Sequence, residues 1–314
     1  MPNILWNVAI LLLLCYAREK GVKMTDIYQK TISHSIDVEG IGLHSGKSIF
    51  MTLKPADINT GIVFYRTDVT DKDACIPAKW DHVVDTRMNT CLGNQDGVVI
   101  STVEHFMGAA AGLGITNLVV ELNGPEMPLM DGSARDFVTL FEKAGIEVQS
   151  VPAKALRILK EVVFDDGKGA KTTLKPAEKG LKFNFEIDFP QTKIIGHQTI
   201  EFYLNEAEFK RLIAPARTFG FAAEVEQLRA MGLAQGATLD NAIAIQGDGV
   251  LNPGGLRDPN EFVEHKVLDA VGDLYQAGAT IIGEFTGIKS GHFHNNQLLR
   301  AVFADQTNYE WIEL

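Results

Sequence analysis

At 314 residues the chain is long enough for two ordinary domains or one large one. Hydrophobic residues make up 46% and charged residues 22%, the balance of a soluble globular protein. A net charge of −11 excludes general electrostatic attraction to nucleic acid, so an anionic ligand needs a local basic pocket.

Ile4 to Ala17 is an apolar run broken by Asn7 and followed by Arg18, Lys20 and Lys23. It is short for a bilayer span and lacks the basic residues that precede a signal peptide's apolar core. Residues 1–23 therefore read as an apolar extension, and translation starting at Met24 accounts for them equally. Basic residues on the C-terminal side would keep the rest of the chain in the cytoplasm in either case, with no stable membrane insertion of the body of the protein. Three cysteines (Cys15, Cys75 and Cys91) are too few for a disulfide framework, which fits a reducing compartment.

From Thr31 onward, runs rich in β-branched and aromatic residues predict strands at 48–54, 62–66, 117–122, 157–164, 181–187, 199–203 and 280–285. Helical patterns cover 102–113, 134–144, 206–212, 223–231, 262–276 and 295–304. Gly145 and Gly232 stand where left-handed caps would end two of them. Strands and helices alternate irregularly, which points to α+β layers and not to a regular βαβ alternation. SVPAK (150–154) marks a boundary, giving a first domain over 24–152 and a second over 153–314. One pattern recurs: Glu104-His105 and Glu264-His265 each sit in a helix that ends in Ala-Gly and leads into an apolar strand. Two halves of related topology would each supply one histidine to a shared cleft.

On the helix FVEHKVLDAVGDLYQ, His265, Asp269 and Asp273 lie four residues apart on one slowly drifting stripe among apolar neighbours. Burying them calls for compensation, which a divalent metal would supply; an exposed Asp–His pair fits the same spacing. In STVEHF (101–106), Ser101 and Glu104 have the spacing of a capping box, and His105 comes directly after. A histidine ligand with a neighbouring glutamate is also a workable ligand–base pair. SGHFHNN (290–296) places His292 and His294 at the mouth of another helix. His34, His82 and His197 have no such context.

Taken together, GIGLHSG (40–46), STVEHFMGAAAGLGI (101–115), PLMDGSARDF (128–137), RTFGF (217–221), EHKVLDAVGDL (264–274) and KSGH (289–292) resemble the UDP-3-O-acyl-N-acetylglucosamine deacetylases, from about Thr31 to about Phe303 and in the family's order. The resemblance implies an α+β fold of two related domains, each a layered β-α-α-β sandwich, with the active site in the cleft between them. It implies a monomeric enzyme of lipid A synthesis that hydrolyses the N-acetyl group of a UDP-linked acylated amino-sugar. His105, His265 and Asp269 would hold zinc, with ferrous iron as the alternative, leaving one position open for water. Glu104 would be the general base. His292, oriented by Asp273, would act as acid or electrostatic stabiliser, Thr218 would donate to the tetrahedral intermediate, and Lys266 would meet the diphosphate or sugar. Lys171, Asp188 and Phe189 match nucleotide-binding positions, with Phe189 as a stacking face; His44, Phe219 and Lys289 match the lining of the cleft. A βαβ insert near 219–246 would wall an apolar tunnel for the acyl chain. His294 departs from the pattern and reads as solvent-exposed or as an adventitious metal contact. A non-catalytic nucleotide-sugar-binding module on the same fold, or a zinc amidase for another acyl-sugar, are the competing readings.

Overall fold

The computed structural model describes residues 27–314, so the apolar extension and Met24 lie outside the described residues. Five strands open the chain: β1 (Tyr28–Ile32), β2 (Ile36–Ile41), β3 (Ser48–Pro55), β4 (Ile62–Arg66) and β5 (Cys75–Pro77). A small antiparallel sheet comes next, β6 (Val83–Asp85), β7 (Cys91–Gly93) and β8 (Val99–Ile100), then α1 (Glu104–Leu113), β9 (Leu118–Leu122), α2 (Arg135–Ala144) and β10 (Ile146–Pro152). After these lie β11 (Lys154–Ile158), β12 (Val162–Asp165), β13 (Lys171–Lys175), β14 (Leu181–Phe189) and β15 (Gly196–Tyr203), and a short helical stretch over 206–213. The chain continues through β16 (Phe219–Phe221), α3 (Ala222–Ala230), β17 (Ile243–Gln246), β18 (Gly249–Val250), α4 (Glu261–Tyr275), β19 (Thr280–Ile288), α5 (His292–Phe303) and β20 (Tyr309–Glu313).

The strands form where every second side chain can be buried. Ile49, Met51 and Leu53 of β3 point inward, as do Leu181, Phe183, Phe185 and Ile187 of β14, while their neighbours face outward. The first sheet runs β2-β3-β9-β4-β5; the second contains β12-β13-β19-β14-β15, with β11 paired to the start of β19 and β20 paired to β11. Both five-strand runs share one pattern of pairing: antiparallel, antiparallel, parallel, antiparallel. Their third members, β9 and β19, are each preceded by a helix, α1 and α4, and each succeeded by another, α2 and α5.

Phe106 of α1 ties that helix to the first sheet through Phe64 and to α2 through Phe137 and Phe141. Helix α4 lies against β14, β15 and β19 of the second sheet, and α1 packs along α4. Both α1 and α4 are buried on almost every side: α1 is apolar after Glu104-His105, whereas α4 carries Glu261, Glu264, His265, Asp269 and Asp273 buried among apolar neighbours. The crossing is close because glycines stand at it: a Cβ on Gly108 would lie 2.7 Å from Leu268, and one on Gly272 would lie 2.9 Å from the Gly108 nitrogen. No helix among the described residues is long and apolar enough to cross a membrane.

Several element boundaries differ from the sequence pattern, each for a local reason. The strand expected over 157–164 is two strands, because the exposed Leu159-Lys160-Glu161 interrupts it. Helix α1 starts at Glu104 because Thr102 has a φ of 60°, a left-handed conformation unusual for a β-branched residue. Helix α5 starts at His292, ahead of the expected 295, because the Gly291 N–H donates to Nδ1 of His294 at 3.3 Å and closes the first turn early. The segment expected as a helix over 206–212 is a short α turn capped by Asn205 that widens into a π turn from Phe209 to Ile213.

Candidate metal and catalytic site

The α1–α4 crossing sets three side chains face to face. One ligand atom from each of His105, His265 and Asp269 lies within 4.8 Å of the other two. Asp269 Oδ1 stands 3.6 Å from His105 Nε2 and 3.5 Å from His265 Nε2, and the two imidazoles meet edge to face with centroids 4.9 Å apart. Nδ1 of His265 donates to the Ala216 carbonyl at 3.0 Å, which leaves Nε2 as a lone-pair donor. Asp269 Oδ2 is taken by the Lys266 ammonium, but Asp269 Oδ1 is buried without any hydrogen-bond partner. A buried carboxylate oxygen facing two imidazole nitrogens is costly unless a cation stands there, so the donor set fits a divalent metal.

Electrostatics favour the ligating form of His265 and Asp269. Burial drives His265 down to about 3, so its ring is neutral. Burial works to raise Asp269, yet Lys266 and His265 outweigh it and hold the carboxyl well below the usual range. Burial also opposes the charge on Lys266, and Asp269 more than compensates, raising it.

Beside the three ligands, Glu104 is 3% exposed, and burial pushes its carboxyl above the ordinary range against the pull of His292 and His105. The capping box read from STVEHF is not formed. Ser101 Oγ donates to the Pro125 carbonyl, and Glu104 Oε2 accepts the Thr90 N–H at 3.0 Å. Strain at Thr102 turns the chain so that Glu104 faces inward. Its other oxygen, Oε1, lies 3.9 Å from His292 Nε2. His292 Nδ1 donates to Asp273 Oδ2 at 2.9 Å, the oxygen that also accepts from Asn295 Nδ2 at 2.9 Å. Burial opposes the charge on His292, but Asp273 and Glu104 prevail and raise it to about 9. His294, in contrast, is turned away: it caps α5 and its Nε2 donates to Asp166 at 3.3 Å, so it is neither free in solvent nor part of this cluster.

The remaining sequence-predicted residues fall into two groups around this centre. Thr218, Phe219 and His44 line an apolar cavity of about 490 Å³ walled by the 219–246 segment, in which β16 and β17 pair in parallel around α3. Phe219 links cavity and cluster, its ring centroid 6.0 Å from that of His265. Both ring nitrogens of His44 are buried and unpartnered, and burial lowers its pKa in spite of Glu126. The second group gathers at one end of the second sheet, where Lys171 pairs with Ile288 and Asp188 holds Lys289 at 2.7 Å. Phe189 there packs on Phe219 with centroids 5.9 Å apart, joining the two groups.

Two residues of the site went unmarked in the sequence. Thr90, besides its N–H on Glu104, donates its hydroxyl to Asp273 Oδ1 at 2.6 Å. Glu261, fully buried, accepts from Arg217 N, Nε and Nη2 and from Arg257 N, and so fixes the loop that presents Ala216 to His265. Arg217 lies in RTFGF and was legible as part of a motif, but neither Thr90 nor Glu261 has a local pattern that sets it apart from ordinary polar residues.

Two imidazoles and an unpaired carboxylate oxygen, with a buried glutamate alongside and an aspartate-held histidine beyond it, define a metal-dependent hydrolase. The particular kind emerges from comparison with known proteins. The family model described as UDP-3-O-acyl N-acetylglycosamine deacetylase matches residues 29–304, and the chain belongs to that family, whose members are metalloenzymes. It is 49% identical over 290 residues to the UDP-3-O-acyl-N-acetylglucosamine deacetylase of Vibrio parahaemolyticus serotype O3:K6, covering 91% of this chain and 93% of the relative. The proteins of the same name from Shewanella oneidensis and Chromohalobacter salexigens are each 48% identical, over 91% and 90% of this chain and 93% of each relative.

Proposed function

We propose that this chain hydrolyses the N-acetyl group of a UDP-3-O-acyl-N-acetylglucosamine in the cytoplasm, giving acetate and the free amine. The observation that carries the reading is the buried, unpartnered Oδ1 of Asp269 facing His105 and His265, next to Glu104. These three side chains would hold zinc, or ferrous iron in its place, and the metal when bound would acidify water and polarise the acetyl carbonyl.

The protein's own groups do the rest. Glu104, its carboxyl raised by burial, is placed to take the proton of the attacking water. His292, held by Asp273 and cationic at neutral pH, faces Glu104 across 3.9 Å and is placed to give a proton to the departing amine nitrogen. Thr218, in the lining of the cavity, supplies a hydroxyl donor for the oxygen that gains charge. Lys266 steadies Asp269 and offers positive charge toward the diphosphate or sugar. Lys171, Asp188, Lys289 and Phe189 would take the nucleotide, and the apolar cavity beside His44 and Phe219 would take the acyl chain. Each buried methylene there contributes about 0.8 kcal/mol before entropic losses. The halves that meet at residues 152–153, taken as two domains with 219–246 as an insert, would each contribute one helix to this cleft.

The direct test loads the purified chain with zinc, removes the metal with a chelator, and monitors acetate release from the UDP-linked acyl-amino-sugar together with metal content. One metal per chain and turnover that disappears and returns with it are expected. Turnover by the metal-free chain, or none by the loaded one, overturns the reading.

A further inference from the structure

We propose that Thr90 is a positioning residue that holds the base and the acid apart and aims both at the substrate. This rests on the roles of Glu104 as base and His292 as acid. Thr90 is 2% exposed and sits at the end of the loop between β6 and β7, above the start of α1. Its carbonyl accepts the Val103 N–H at 3.3 Å, which anchors the loop to the strained turn at Thr102. Its N–H and its hydroxyl then go to two different carboxylates: Glu104 Oε2 at 3.0 Å and Asp273 Oδ1 at 2.6 Å.

Each bond removes one rotational freedom that the reaction cannot tolerate. Glu104 is a long carboxylate beside a cationic imidazole, and unrestrained it would swing into direct contact with His292 Nε2. The Thr90 N–H keeps the closest approach at 3.9 Å, which leaves room for a reacting nitrogen between them. Asp273 must keep Oδ2 on His292 Nδ1, and a turn about its last torsion would break that bond. The Thr90 hydroxyl fixes Oδ1 on one side while Asn295 and His292 hold Oδ2 on the other, so every lone pair needed to orient the carboxylate is engaged. No other side chain among the described residues hydrogen-bonds Asp273 Oδ1.

Thr90→Val keeps the backbone N–H and the shape while deleting the hydroxyl. Its kcat is expected to fall by roughly 10- to 100-fold, the usual loss when a supporting partner of this kind is removed. KM and bound metal should stay near the native values, since the hydroxyl bonds Asp273 and none of the metal ligands, while the thermal midpoint should drop modestly because Asp273 Oδ1 loses its partner. Thr90→Ser should restore most of kcat. In an Asp273→Ala background the valine should cause little additional loss, because the hydroxyl then has nothing to hold. Native kcat in Thr90→Val, a change in KM alone, or losses that multiply in full with Asp273→Ala would overturn the proposal. Thr90→Ala carries the same expectation should the valine fail to fold. Native turnover in Asp273→Ala alone would instead overturn the role given to His292, so the two failures are distinguishable.

Discussion

Gly272 of α4 faces the carbonyl oxygen of Glu104 so closely that a Cβ at this position would stand 1.9 Å from it. The contact is backbone against backbone, so no rotamer change can relieve it. Asp269 lies less than one turn before Gly272 and His105 is the residue after Glu104, so the separation of these helices sets the spacing of the ligands. Gly272→Ala is expected to destabilise the fold by about 1–3 kcal/mol or more and to weaken metal binding with it. Gly108→Ala should be milder, because its nearest neighbour is the tip of the Leu268 side chain. Denaturant melts and metal titration of both variants check this ranking; an unperturbed Gly272→Ala would refute it.

Ligand and base separate by different losses. His265→Ala removes a donor whose ring is already neutral and fixed by Ala216, and should abolish stoichiometric metal binding. Glu104→Ala leaves the three donors in place and should keep the metal while turnover falls by roughly 10²- to 10⁴-fold. Metal analysis beside acetate release distinguishes the two, and a Glu104→Ala enzyme with native turnover would remove Glu104 as the base.

The Arg217–Glu261 pair supports the cluster from behind. Glu261 is 0% exposed and holds the guanidinium Nε at 2.8 Å as well as the Arg217 N–H. Glu261→Gln neutralises one partner of a buried ion pair, a change that typically costs about 3–5 kcal/mol. The loop carrying Ala216 should loosen and metal affinity should fall along with stability. Native affinity in a destabilised Glu261→Gln protein would show that the pair supports the fold alone.

Protonation of His292 gives stability a defined pH window. Burial disfavours its charge, but Asp273 and Glu104 raise it from 6.5 to about 9. A group raised on folding contributes stability that is fully present below its unfolded pKa and lost as pH climbs through its folded one. In the metal-free protein the stability difference between wild type and His292→Gln should therefore be a few kcal/mol near pH 6 and shrink steadily toward pH 9. Urea melts across that range read it directly, and a pH-independent difference would contradict it. Turnover that depends on the imidazolium should likewise decline above about pH 9.

How far the sequence reached depended on whether a signal was local. Strands β3, β4 and β14 were legible because alternate burial writes a period of two into the chain, and α4 because His265, Asp269 and Asp273 recur at helical spacing. The repeated glutamate-histidine pair before an Ala-Gly turn falls in α1 and α4, the helices that precede β9 and β19. What failed was local too: Ser101 and Glu104 have capping-box spacing, but tertiary strain at Thr102 and the Thr90 N–H claimed Glu104 instead. Thr90, Glu261 and Asn295 have roles created by segments that meet only in the folded chain, with sequence separations of 183, 44 and 22 residues from their partners. No pattern in a short window carries that information. The roles proposed for His105 and His265 as a pair came from motif resemblance, since the spacing on the 262–276 helix also fits an exposed Asp–His pair and Glu104 beside His105 also fits a capping box.

The apolar cavity offers a last test of what the 219–246 segment is for. Ala244 of β17 lines it, together with Leu228, Leu239 and Leu251, some distance in sequence from every residue assigned to the chemistry. Ala244→Phe would fill part of the space without altering Asp269, Glu104 or His292. If the cavity holds the acyl chain, each methylene excluded removes about 0.8 kcal/mol of binding, so long-chain substrates should lose several-fold to a hundredfold in kcat/KM. A substrate with a truncated acyl group should be turned over about as well by the variant as by the native enzyme. Comparing kcat/KM across a series of chain lengths reads the difference, and an equal loss for short and long chains would mean that the cavity does not receive the acyl group.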